Sequence, residues 1–346
     1  MRRTSGGRVT TVSRTREDVA VPRQGGPRYS SLAELIDAQL YMPFPFRSNP
    51  REAEAEAGVE EWLRECGLLD EPGVAEMIAA TRPAQLASYS SPAVDPGILQ
   101  IVAHQIAYQF VFDDRAEQIG HRWPDRLLPM LCESVAVLRD GAAPATALGA
   151  ALADLYRQVQ ERCTPEQAAR WAWKSREYVH GLLYEAVAQT GAAPPRIDLC
   201  ASIRSLTAGI EPFHPLYEAA QRREVPAREL HHPVLRRMTR LSVDAAVWTA
   251  DLFSAVKEQR AGGVINLALA HQCRQRCSLP AAVSLAIRQV NGAVREFEGL
   301  WSGIRAELSP AGSGYVDGMI GWISGCYHWS RTTPRYAETA AAPALR

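Results

Sequence analysis

The chain has 346 residues, 47% of them apolar and 22% charged, and its 38 acidic and 38 basic side chains cancel to a formal net charge of zero. That is enough length and apolar content for a buried core. No basic excess favours nucleic acid as a partner, and no run is long and apolar enough to span a bilayer.

Residues 1–30 are rich in Arg, Ser, Thr, Gly and Pro without apolar periodicity, which predicts a disordered or loosely attached arm. Met1-Arg2-Arg3 is not followed by the apolar stretch of a secretory signal. The seven cysteines are an odd number scattered along the chain, which fits reduced thiols and a cytoplasmic setting. His271, Cys273 and Cys277 lack a second pair of soft ligands and do not read as a zinc site. Apolar residues recur at three-to-four spacing over 52–68, 127–138, 145–163, 165–189, 235–260 and 279–308, predicting a helix in each. Thr164-Pro165 and Ser278-Leu279-Pro280 carry a hydroxyl cap beside a proline, a helix-start pattern. Pro and Gly separate the helices, as at 191–195 and 309–312, and strand-like alternation is nearly absent. The expected fold is all-α and single-domain over residues 31–338, with a flexible tail at 339–346.

Two acidic clusters lie in this helical background. Asp113-Asp114-Arg115-Ala116-Glu117 follows the almost uniformly apolar stretch 98–112. On a helix Asp113, Asp114 and Glu117 converge on one side, because residues three and four apart share a face. Ser254 and Glu258 stand one turn apart in the second cluster, near Asp251 and Lys257. A solvated helix end is the ordinary reading of such acids. The apolar approach to the first cluster, and its adjacent pair of aspartates without alternating bases, argue for a buried site instead. Two carboxylate faces across a helical cavity suit Mg²⁺, a hard cation that takes oxygen ligands and bridges to phosphates. Arg204 and Arg335 suit bidentate recognition of phosphate oxygens, and Lys257 adds a point charge.

From Pro43-Phe44-Pro45-Phe46-Arg47-Ser48-Asn49-Pro50 to Arg335-Tyr336 the chain resembles the class I (type I) terpene synthases of bacteria. Asp113 to Glu117 is similar to the family's aspartate-rich motif, and Ala250 to Glu258 stands where its Asn-Asp-x-x-Ser-x-x-x-Glu motif belongs. Arg204 lies 46 residues before Ala250, in the place of the diphosphate-sensing arginine. Tyr315-Val316-Asp317-Gly318, Trp322, Gly325, Trp329 and Arg335-Tyr336 resemble the C-terminal signature. Three positions depart from the family pattern. Ala250 replaces a metal-binding Asn, Ser205 a common second arginine, and Cys326 a frequent Asn of the last helix.

The resemblance implies a helical bundle around a central cavity, in which a linear allylic diphosphate is ionised and cyclised with release of diphosphate. It implies up to three Mg²⁺ ions held by Asp113, Asp114, Glu117, Ser254 and Glu258, one site being weakened at Ala250. It also implies diphosphate donors at Arg204, Lys257, Arg335 and Tyr336. Phe110, Trp322 and Trp329 resemble cavity aromatics that face the substrate, with ordinary core packing as the alternative. Farnesyl diphosphate is the expected substrate and geranylgeranyl diphosphate the next, and a homodimer is compatible with the family. Ala250 keeps open a catalytically impaired, diphosphate-binding relative. A prenyltransferase would carry a second aspartate-rich motif, and a plain helical interaction protein would not order these motifs. The segment 330–337 has few evident anchors and is expected to be mobile without ligand.

Overall fold

The computed structural model describes residues 29–120, 123–191, 194–337 and 342. Of the arm expected over 1–30, only Tyr29 and Ser30 fall among them, and of the tail only Ala342. Ala342 accepts a hydrogen bond from the Leu32 amide at 3.0 Å.

Among the described residues the regular structure is entirely helical. The first seven helices are α1 (Leu32–Gln39), α2 (Glu52–Glu65), α3 (Val74–Thr81), α4 (Pro83–Ser90), α5 (Pro96–Gly120), α6 (Leu128–Asp140) and α7 (Ala147–Arg162). Then come α8 (Pro165–Gln189), α9 (Ile197–Thr207), α10 (His214–Ala220) and α11 (Ala227–Leu230). The last four are α12 (Pro233–Ala261), α13 (Leu267–Gln275), α14 (Leu279–Ile304) and α15 (Pro310–Thr332). A short 3₁₀ turn, Pro334–Tyr336, follows α15.

The expected helices are present with ends shifted by a few residues, and α8 has the expected bounds. Its start shows why. Thr164 accepts from the Gln167 amide, and Gln167 answers with its side chain on the Thr164 amide, a complete capping box ahead of Pro165. Ser278 occupies the N-cap of α14, but its side chain makes no capping hydrogen bond.

The core lies between α12, α14 and α15 on one side and α4, α5 and α8 on the other. α12 is buried along most of its length, including Leu252, Phe253 and Ala255. Truncating Phe253 to Ala is worth about 3–5 kcal/mol of stability at such a site. α15 approaches α4 closely because Gly321 faces it, where a Cβ would sit 2.2 Å from the Ser90 carbonyl oxygen. Asn49 closes the 43–50 segment onto the α4–α5 turn through the carbonyls of Ser91 and Val94.

Candidate active site

α5 is buried nearly all round from Ile98 to Phe112, so it crosses the core before its acidic last turns reach the mouth of the bundle. There Asp113, Asp114 and Glu117 line a cavity of about 150 Å³. The facing wall is α12, which contributes Asp251, Ser254, Lys257 and Glu258. Arg204 and Thr207 come from the end of α9, and Arg335 and Tyr336 from the turn after α15. The polar residues singled out in the sequence therefore meet in one place. A larger cleft of about 340 Å³ between the 44–47 segment, the α4–α5 turn and α15 carries only Arg47 and Asp317 as charged groups. Chemistry, not volume, selects the first cavity.

Asp113, Asp114, Asp251 and Glu258 are each held by a specific donor. Tyr178 of α8 donates its hydroxyl to Asp113 Oδ1. Burial pushes the Asp113 carboxyl up to about 8, with the charges of Glu185 and Asp114 adding to the shift and the Tyr178 hydroxyl and Arg204 opposing it. Asp114 Oδ1 accepts from Arg335 Nη2 at 2.7 Å, and the same guanidinium lies 5.0 Å from the centroid of the Phe110 ring. Across the cavity, Lys257 Nζ stands 3.1 Å from Glu258 Oε1. Ser254 Oγ accepts from Asn266 Nδ2 at 3.1 Å.

Arg204 donates Nε to Asp251 Oδ1 at 2.9 Å and Nη1 to the Thr207 hydroxyl at 3.0 Å. Burial alone would lower the pKa of this guanidinium, but the carboxylates of Asp251 and Glu185 hold it charged. Asp251 also takes the Leu267 amide on Oδ2 at 2.8 Å. It faces the cavity, although helix geometry places it about 100° from Ala250, and both its oxygens are already engaged in fixing Arg204 and the start of α13.

Four sequence expectations are refined here. Phe110 lines the cavity, but Trp322 and Trp329 do not. Trp329 is 1% exposed and donates its indole N–H to the Thr81 carbonyl at 2.8 Å, packed between Phe110 and Tyr336. Trp322 is 3% exposed and packs on Phe213. Ser205 turns away from the cavity and donates to Asp244. The 330–337 segment is well anchored: Ser330, Thr333 and Tyr336 are buried, and Thr333 Oγ1 donates to the Ala80 carbonyl at 2.9 Å.

Ala250 is half-buried and absent from the cavity lining. On the neighbouring α15, the Cys326 thiol donates to the Ala246 carbonyl, one turn before Ala250 on α12.

Sequence reasoning missed Glu185. It lies on α8 with Leu182, Ala186 and Gln189, all lining the cavity. Burial raises its pKa, while Arg204 and the Thr207 hydroxyl work the other way. An acid amid Tyr178, Leu182 and Gln189, one helical face, was the available signal.

The donor set is composed of hard oxygens, which suits a divalent cation such as Mg²⁺. Among the described residues no three His, Cys, Asp or Glu side chains are close enough to hold an ion by themselves. A cation fits here jointly with the oxygens of a bound phosphate group, a binding mode common for Mg²⁺.

A family model described as terpene synthase family 2, C-terminal metal binding, matches residues 105–296. The chain is 66% identical over 336 residues to a (−)-alpha-amorphene synthase of Streptomyces viridochromogenes that cyclises (2E,6E)-farnesyl diphosphate, covering 97% of this chain and 99% of that protein. It is 28% identical to a farnesyl diphosphate-cyclising (+)-T-muurolol synthase of Roseiflexus castenholzii, with 87% of this chain and 94% of that one aligned. The crystal structure of germacradien-4-ol synthase from Streptomyces citricolor superposes with a TM-score of 0.74 at 25% identity, over 86% of this chain and 99% of that one.

Proposed function

Because this chain belongs to the bacterial class I terpene synthases, a lyase family, we propose that it ionises and cyclises farnesyl diphosphate with release of diphosphate. The observation that carries this reading is the meeting of two acidic walls, α5 and α12, with Arg204, Lys257 and Arg335 around one cavity. The farnesyl diphosphate-cyclising relatives support the fifteen-carbon substrate.

Asp113, Asp114 and Glu117 would hold Mg²⁺ on one wall, and Ser254 and Glu258 on the other. When bound, the metal supplies positive charge to the diphosphate oxygens as the carbon–oxygen bond breaks. Arg204, Lys257, Arg335 and Tyr336 donate to the same oxygens and so stabilise the charge that develops on the leaving group.

Two ion pairs of the site bear on how metal and diphosphate would be taken up. Arg335 neutralises Asp114 and Lys257 neutralises Glu258, so each joins a proposed metal ligand to a proposed diphosphate donor. A metal–diphosphate pair offers a counter-charge to both members at once, and the pairs can open without stranding a buried charge. Phe110, backed by Trp329, would offer its ring face to a passing cation once Arg335, which lies 5.0 Å from the ring centroid, turns to the diphosphate.

Incubation with the ten-, fifteen- and twenty-carbon diphosphates and Mg²⁺, followed by gas chromatography and mass spectrometry, tests the reading. A cyclic fifteen-carbon product is expected from farnesyl diphosphate. No terpene from any of the three, with diphosphate still bound, would replace it by the second reading that Ala250 favours, a diphosphate-binding relative with impaired turnover.

A further inference from the structure

The backbone beside the cavity breaks between α9 and α10. α9 ends at Thr207, one turn beyond Arg204, and Gly209 follows in the left-handed region at φ 59°. A Cβ at that position would lie 2.4 Å from Gln109 Nε2 and 3.1 Å from Tyr178 Cδ2, so both conformation and space require glycine. Carbonyls at a helix end lack intrahelical donors and need a partner from elsewhere. The Gly209 carbonyl finds one in Gln109 Nε2 at 2.9 Å.

Gln109 stands on α5 one turn before Asp113. Tyr178, whose ring packs at Gly209, is the residue that donates to Asp113. Gln109, Asp113, Tyr178 and Gly209 therefore form one junction between the aspartate wall and the helix end that carries Arg204. The chemistry of an amide fits this place. Lys or Arg at 109 would lie four residues from Asp113 on the same helix face and pair with it, taking it from the metal. Gln donates without a charge.

We propose that Gln109 is a positioning residue for the cyclisation, clamping the Gly209 break so that Arg204 keeps a fixed register against Asp113. The inference rests on the proposed cyclisation of a prenyl diphosphate. Arg204 marks where the diphosphate sits, and the α5 wall marks where its metal sits. Their offset governs how the prenyl chain lies when the cation forms, and small misplacements of reacting groups carry large consequences.

Gln109→Leu removes the donor at nearly constant volume, and Gln109→Asn keeps the amide with a shorter reach should the Leu variant fold poorly. Three readouts apply to the full chain. Hydrogen exchange over residues 204–213 without ligand should rise about fivefold in either variant, the scale of one neutral hydrogen bond. The affinity for inorganic diphosphate with Mg²⁺, by calorimetry, should fall by a similar factor. The product profile from farnesyl diphosphate should shift toward acyclic and less cyclised terpenes, with kcat lowered more than KM. Unchanged exchange together with an unchanged product profile in Gln109→Leu overturns the clamp while leaving the cyclisation reading intact. If wild type makes no terpene yet exchange and diphosphate affinity still respond to Gln109→Leu, the clamp stands and the cyclisation reading falls.

Discussion

The carboxylates of α5 and those of α12 face one cavity but are held in different ways. On α5, Asp113 and Asp114 take their donors from remote side chains, Tyr178 of α8 and Arg335 after α15. On α12, Asp251 is bound by a main-chain amide as well as by Arg204, and Ser254 by the capping residue of α13. Only the last turn of α12, with Lys257 beside Glu258, resembles the exchangeable arrangement of α5. The difference bears on Ala250. It is half-buried on α12 beside Asp251 and lies outside the lining of the cavity.

The sharpest way to break the comparison is Asp113→Ala. If the α5 wall carries the metal, turnover should fall on the order of a hundredfold or more, with helical circular dichroism unchanged. Full activity with the same Mg²⁺ dependence would mean that the metal sits elsewhere.

Arg335→Ala tests the exchangeable pairs. Charge-assisted hydrogen bonds are worth roughly 1.5–3 kcal/mol, so diphosphate affinity with Mg²⁺ should drop about tenfold or more by calorimetry. Unaltered affinity would reduce Arg335 to a counter-ion of Asp114.

Ala250→Asn adds an oxygen donor beside Asp251 and, where residue 250 reaches the metal, should lower the half-saturating Mg²⁺ concentration by about fivefold, close to 1 kcal/mol. No change would show that residue 250 does not face the metal. Turnover found only in the variant would mark the native protein as the impaired relative.

The smallest effect at neutral pH belongs to a group outside both walls. His214 of α10 is buried against Tyr217 and Tyr315, and burial, with Lys174 nearby, lowers its pKa to about 3. Its ordinary value is about 6.5, so between these limits the unfolded chain binds the extra proton and the folded one does not. Stability contributed by neutral His214 is complete above about pH 6.5. It is lost as pH falls toward 3, at roughly 1.4 kcal/mol per pH unit. His214→Gln should flatten this acid limb of a urea-denaturation series without altering the value at pH 7, and an identical limb in the variant would assign acid sensitivity to other groups.

The helices and both acidic faces were legible in the linear chain because helix caps and three-to-four spacing are local properties. Thr164-Pro165 with Gln167 set the start of α8 with no help from the rest of the molecule, and Asp113, Asp114 and Glu117 share a face wherever the helix goes. The resemblance in motif order extended this to Arg204, Arg335 and Tyr336, which do converge on the cavity. Tyr178 and Gln109 were not legible, and Glu185 only as an acid on the face of Tyr178, Leu182 and Gln189, since each matters through what another helix brings to it. Trp322 and Trp329 looked like cavity aromatics, but only packing decided that their indoles are buried in the core. Asp251 stands next to a motif position, yet its part in holding Arg204 and the Leu267 amide depends on where α9 and α13 dock. Arg335 and Asp114 are 221 positions apart and make a 2.7 Å hydrogen bond. Periodicity says which face of a helix is buried, but the partner that meets that face is chosen by the packing of the whole chain.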